Sequence, residues 1–96
     1  MKKILFFITF IIINYNGFSQ DHQINGRITD EEGNGLPGAT IIIKETTTGT
    51  ISDINGDFSL FAFKDTVLII SFSGYIREEI NVNGKSTIDI QLTPDI

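Results

Sequence analysis

Short apolar runs alternate with polar or glycine-rich breaks along almost the whole chain after residue 20. Seven such runs stand out, at 23–30, 39–45, 50–54, 58–63, 67–72, 77–82 and 87–92. In the first, Ile24 and Ile28 face one way, with Arg27 and Thr29 on the other side or at the edge. In the last, Ile88, Ile90 and Leu92 point in while Asp89 and Gln91 point out. A period of two is the mark of a half-buried strand. The run 67–72 is nearly all apolar, as expected of a central strand covered on both faces. No 11-residue window after residue 20 keeps a helical apolar period without a glycine or a β-branched cluster. The pattern predicts an all-β fold, a two-layer sandwich of seven short strands.

Turn residues punctuate the runs. Gly33-Asn34-Gly35-Leu36-Pro37-Gly38 separates the first from the second, and Lys64-Asp65-Thr66 the fourth from the fifth. Asn55-Gly56 reads as a two-residue hairpin, because both positions tolerate positive φ. Asn83-Gly84 turns the chain again. Asn25-Gly26 has the same chemistry but falls inside the first run, so a bulge or an edge position is expected there.

The first residues belong to a different class. Met1-Lys2-Lys3 is basic, Ile4 to Ile13 is apolar apart from Thr9, and Gly17-Phe18-Ser19 offers small residues for a signal peptidase. A membrane span needs about 20 apolar residues, roughly twice this run. The expectation is a cleaved signal peptide, 1–19, and one mature domain, 20–96. The chain has no cysteine, which closes both the lipoprotein anchor and the disulfide. Past the signal, Arg27, Lys44, Lys64, Arg77 and Lys85 stand against twelve acids, a net charge of 5 − 12 = −7. Such a surface repels nucleic acid and offers no basic patch to anionic lipid.

Candidate chemistries are few. Gly33-x-Gly35-x-x-Gly38 spells the dinucleotide fingerprint, but that motif needs a following helix, and Ala39-Thr40-Ile41 is strand-like. Asp53-x-Asn55-Gly56-Asp57 hints at a calcium loop, yet its glycine comes too early and Lys64 stands where the closing glutamate belongs. Both are read as turns. His22 is the only histidine and lies close to the expected mature terminus, where chains are loose, a poor place for a triad or a zinc site. Glu31-Glu32 and Glu78-Glu79 are neighbours, which a strand turns to opposite faces. No catalytic, metal or cofactor residue is assigned, and the protein is expected not to be an enzyme. Phe58 and Leu60 face one way, Phe61 and Phe63 the other. If the first pair is core, Phe61 and Phe63 form an exposed aromatic patch, a candidate partner surface.

Three segments together carry a resemblance. Gly26-Arg27-Ile28-Thr29-Asp30 leading into Gly33-Asn34-Gly35-Leu36-Pro37-Gly38-Ala39-Thr40-Ile41 resembles the opening of the carboxypeptidase regulatory-like domain. Thr48-Gly49-Thr50-Ile51-Ser52-Asp53-Ile54-Asn55-Gly56-Asp57-Phe58 is similar to its middle, and Ile70-Ser71-Phe72-Ser73-Gly74-Tyr75 to its late strand and aromatic corner. The resemblance implies a seven-stranded transthyretin-like (prealbumin-like) sandwich without catalysis. It further implies the N-terminal extension of SusC-like TonB-dependent receptors of Bacteroidetes, and hence a periplasmic or outer-membrane-associated place. The partner would be an outer-membrane receptor or a TonB-type energy-coupling component. A chain of this length cannot itself form a transport barrel, which needs at least eight strands of about 9–11 residues. The competing expectation is a free-standing secreted structural or adhesive domain that binds glycan.

Overall fold

A computed structural model describes residues 21–96. The expected signal peptide and its cleavage site lie outside the described residues. Seven strands follow one another without a helix among these residues: β1 (Asp21–Thr29), β2 (Thr40–Ile43), β3 (Gly49–Ile51), β4 (Asp57–Phe63), β5 (Val67–Ser71), β6 (Glu78–Asn81) and β7 (Thr87–Gln91). They form two sheets. The first has the order β4-β1-β7, with β1 antiparallel to β4 and parallel to β7; the second has the order β3-β2-β5-β6 and is antiparallel throughout. The protein is an all-β sandwich, as the alternation predicts.

The core is the apolar half of each alternation. Ile24 and Ile28 on β1, Leu60 and Ala62 on β4, and Ile88 and Ile90 on β7 face Ile41 on β2 and Leu68 and Ile70 on β5. Val82 and Leu92 close the ends. Ile24, Ile28, Ile41, Leu68, Ile70, Val82 and Leu92 are fully buried. Each such side chain contributes roughly 1.5–3 kcal/mol relative to leaving it in water. Phe72 and Tyr75 pack at one corner with ring centroids 5.7 Å apart.

Two loops are built alike from like sequence. Asp30 Oδ1 accepts the amides of Glu32 and Asn34, both at 2.9 Å, while the Gly33 amide donates to Asp30 O at 3.1 Å. Asp53 Oδ1 accepts the amides of Asn55 and Asp57, both at 2.9 Å, while the Gly56 amide donates to Asp53 O at 2.8 Å. Gly33 and Gly56 take φ of 86° and 84°, which only glycine adopts without strain. An Asp at the first position and a Gly at the fourth thus encode the same Asx-type turn twice.

Several expectations are corrected. The Asn55-Gly56 turn is present, but it joins no hairpin: β3 and β4 belong to different sheets, and the turn carries the chain across the sandwich. Asn25-Gly26 is neither bulge nor edge. β1 is the central strand of its sheet, in continuous register with Phe58 of β4 and Ile88 of β7. A Cβ on Gly26 would run into the Ile88 carbonyl and come within 2.7 Å of the Phe58 ring. The glycine is there because the core leaves no room. The run 67–72 is covered on one face only: Leu68 and Ile70 are buried, whereas Val67 and Ile69 are half-buried on the outside. His22 is not in a loose terminus. It lies in β1 opposite Ala62, with Nε2 3.2 Å from the Lys85 carbonyl.

Candidate functional site

The outer face of the three-stranded sheet collects the polar half of the alternation. On β4 the outward positions are Asp57, Ser59, Phe61 and Phe63, and the β1 residues beside them are Arg27, Asn25, Gln23 and Asp21. At one end the face is organised by charge. Arg27 Nε donates to Asp57 Oδ1 at 2.8 Å, and Nη2 reaches Oδ2 at 3.5 Å. That hydrogen bond holds the Asp57 carboxyl below the usual carboxylate range and raises the Arg27 guanidinium further. In the middle Gln23 Nε2 donates to Ser59 Oγ at 2.8 Å. At the far end Phe61 is 63% exposed and Phe63 44%. Their strand neighbours Phe58, Leu60 and Ala62 are buried, so the two rings stand in solvent because the core has taken the other face.

The residues that hinted at chemistry in the sequence are dispersed in the fold. Gly33, Gly35 and Gly38 lie in loops and bends with no helix after them. The Asp53 carboxylate accepts two amides of its own loop, and Asp57 is engaged by Arg27. Glu31 and Glu32 are exposed in the first Asx turn. Glu78 and Glu79 lie on the edge strand β6, where Glu79 pairs with Lys44 at 3.1 Å and Arg77 at 3.5 Å. Among the described residues no three His, Asp or Glu side chains stand close enough to hold a metal.

One feature is not legible in the sequence. The outer face of the four-stranded sheet carries Ile51, Ile42, Ile69 and Val67 on adjacent strands. Ile51 is 62% exposed and the other three are half-buried. Runs apolar at every position, such as Ile41-Ile42-Ile43, suggest double coverage. Local pattern cannot tell a face that is covered from one that is only apolar.

Residues 24–95 match the family described as the CarboxypepD_reg-like domain. The chain belongs to that family. This CarboxypepD_reg-like domain is 33% identical over 87 residues to the TonB-dependent receptor SusC of Bacteroides thetaiotaomicron, covering 91% of this chain and 9% of the receptor. Two TonB-dependent receptors of Formosa agariphila are similar. One is 38% identical over 73 residues (76% of this chain, 7% of the receptor), the other 31% over 97 residues (99% and 10%). The chain thus spans about a tenth or less of the length of these receptors. A cohesin–X-dockerin complex from Acetivibrio cellulolyticus contains a chain of similar fold, with TM-score 0.52 and 24% identity over 74% of this chain and 51% of that one. No helix among the described residues is long and apolar enough to cross a membrane.

Proposed function

We propose that this CarboxypepD_reg-like domain is a non-catalytic interaction module of a TonB-dependent, SusC-like nutrient-uptake system, exported by its N-terminal signal to the periplasmic side of the outer membrane. The observation that carries the reading is the match of nearly the whole chain to a small part of SusC. A segment that matches a receptor over 91% of this chain and folds into two packed sheets with its own core is a folding unit, and its surface is what remains for function. The most apolar outward part of the three-stranded sheet is Phe61 and Phe63, and the proposed partner, a receptor or an energy-coupling component, docks there.

The test is capture from detergent-solubilised outer membranes of the organism that makes the protein, with bound receptors identified by mass spectrometry. The double variant Phe61→Ser/Phe63→Ser is expected to keep the fold, since both rings are exposed, and to lose at least about tenfold in capture, the equivalent of roughly 1.4 kcal/mol. Undiminished capture by the variant rejects this surface. A second reading, a glycan-binding exported domain, draws on the same two rings beside the polar Gln23 and Ser59. Retention on a polysaccharide panel, lost in the same variant, would favour it over the receptor module.

A further inference from the structure

The edges of the two sheets differ in how well they are guarded. β3 is three residues long, and β6 is four, with Glu79 and Asn81 facing outward. β4 is the longest edge, seven residues, and between Asp57 and the end of the strand it carries no charge, no proline and no break in register. Natural proteins blunt edges with such devices, because an unguarded edge is a template for another strand.

The ladder shows which backbone groups are free. The Ile28 amide donates to Gly56 O at 2.8 Å, which makes Ile28 and Gly56 a hydrogen-bonded pair. Alternation in an antiparallel ladder then makes Gly26/Phe58, Ile24/Leu60 and His22/Ala62 bonded pairs too. The amides and carbonyls of Asp57, Ser59, Phe61 and Phe63 therefore point away from β1. The two ends of this outward row are used. Asp57 O accepts the Asp53 amide at 2.8 Å and its own amide donates to Asp53 Oδ1, while Phe63 O accepts the Thr66 amide at 3.0 Å. Among the described residues nothing engages the outward groups of Ser59 and Phe61.

We propose that this edge takes up an extended, lysine- or arginine-bearing segment of a protein partner as an added strand. The proposal rests on the module reading above and specifies how the module grips. Main-chain bonds to Ser59 and Phe61 supply the pairing, and alternate side chains of the added strand lie beside Phe61 and Phe63 on the outer face. Charge decides the occupant. Four carboxylates flank or open the edge, Asp53 before it, Asp57 at its first position, Asp65 after it, and Asp21 opposite Phe63, against Arg27 and Lys64. The whole domain carries −7. A second copy brings another −7 to the interface, whereas a cationic segment is drawn in and its flanking charges are matched.

The probe is a short synthetic peptide of alternating threonine and valine flanked by lysines, N-methylated along one edge so that it cannot stack on itself. Titrated into the isotope-labelled protein, it is expected to shift and protect the Ser59 and Phe61 amides. The same peptide flanked by glutamates is expected to bind at least about fivefold more weakly at low salt. Ser59→Pro removes an amide that faces away from β1, so the ladder survives while strand addition is blocked. Ser59→Lys guards the same edge without touching backbone geometry. Both are expected to abolish binding. Shifts confined to side chains of the sheet face, or binding undiminished in Ser59→Lys, overturn strand addition. Equal affinity for the two peptides, or dimerisation of the free protein through β4, overturns the cationic occupant. If strand addition falls while Phe61→Ser/Phe63→Ser still loses receptor capture, the module reading stands without it.

Discussion

Single side chains hold this domain together where no cross-link does. Ser52 is the one buried polar residue among those described. Its hydroxyl donates to the Leu36 carbonyl at 2.6 Å and accepts the Ala39 amide at 2.9 Å, tying the loop before β2 to the end of β3. Ser52→Ala leaves both groups buried without that partner. It is expected to cost about 1–3 kcal/mol, read as a lower denaturation midpoint at unchanged m-value. The run 50–54 and the family segment 48–58 both contain Ser52, but nothing in them marks it as the residue that is buried and bonded. By contrast the two Asx turns rest on local chemistry, because a carboxylate two residues before one amide and four before another needs no tertiary help.

Among elements, β1 shows most clearly how neighbours override local chemistry. Asn-Gly is a turn signal at 55–56, where Gly56 has φ 84°, and at 83–84, where φ is 53° and 77° and the Lys85 amide returns to Val82 O at 3.1 Å. The same dipeptide at 25–26 runs straight through the middle of a sheet. Strands on both sides and a phenylalanine ring over the gap decide the outcome, and none of them is close in sequence. Gly26→Ala is expected to destabilise by roughly 2–3 kcal/mol or more, since the obstacle includes the backbone of β7 rather than a movable side chain. Thermal unfolding measures it; a midpoint within about a degree of the parent would mean that β7 yields easily. The exposure of Phe61 and Phe63 belongs to this scale too. Alternation placed them opposite Phe58 and Leu60, but only the absence of a layer over the outer face of the three-stranded sheet, among the described residues, left them uncovered.

For the whole molecule, charge sets the response to acid. The amides of Asn34 and then Glu32 hold the Asp30 carboxyl below the ordinary range, and the Arg27 hydrogen bond does the same for Asp57. A depressed carboxyl stabilises the fold fully above the unfolded value, about 3.9, and this is lost as pH falls through the lowered folded value. Stability is therefore expected to drop below about pH 4. Asp30→Asn keeps an oxygen to accept the same amides but does not titrate, so its thermal midpoint should fall less than the parent's between about pH 5 and pH 2.5. An identical fall in both proteins would show that Asp30 has no part in the acid response.

The sequence alone determined the class of fold, the seven strands, the buried half of each alternation and the places where the chain turns. These depend on neighbours a few residues away, and local stereochemistry is enough to specify them. The family was legible for the same reason, since its signature is made of turns and the strands between them. Only the tertiary structure decided which turns join hairpins and which cross between sheets, why Gly26 is a glycine, and which apolar faces stay in water. Those outcomes depend on pairing between distant strands, and a β ladder is held by backbone groups that every residue carries alike. The free edge of β4, with the outward amides of Ser59 and Phe61, exists only once the sheets have chosen their order.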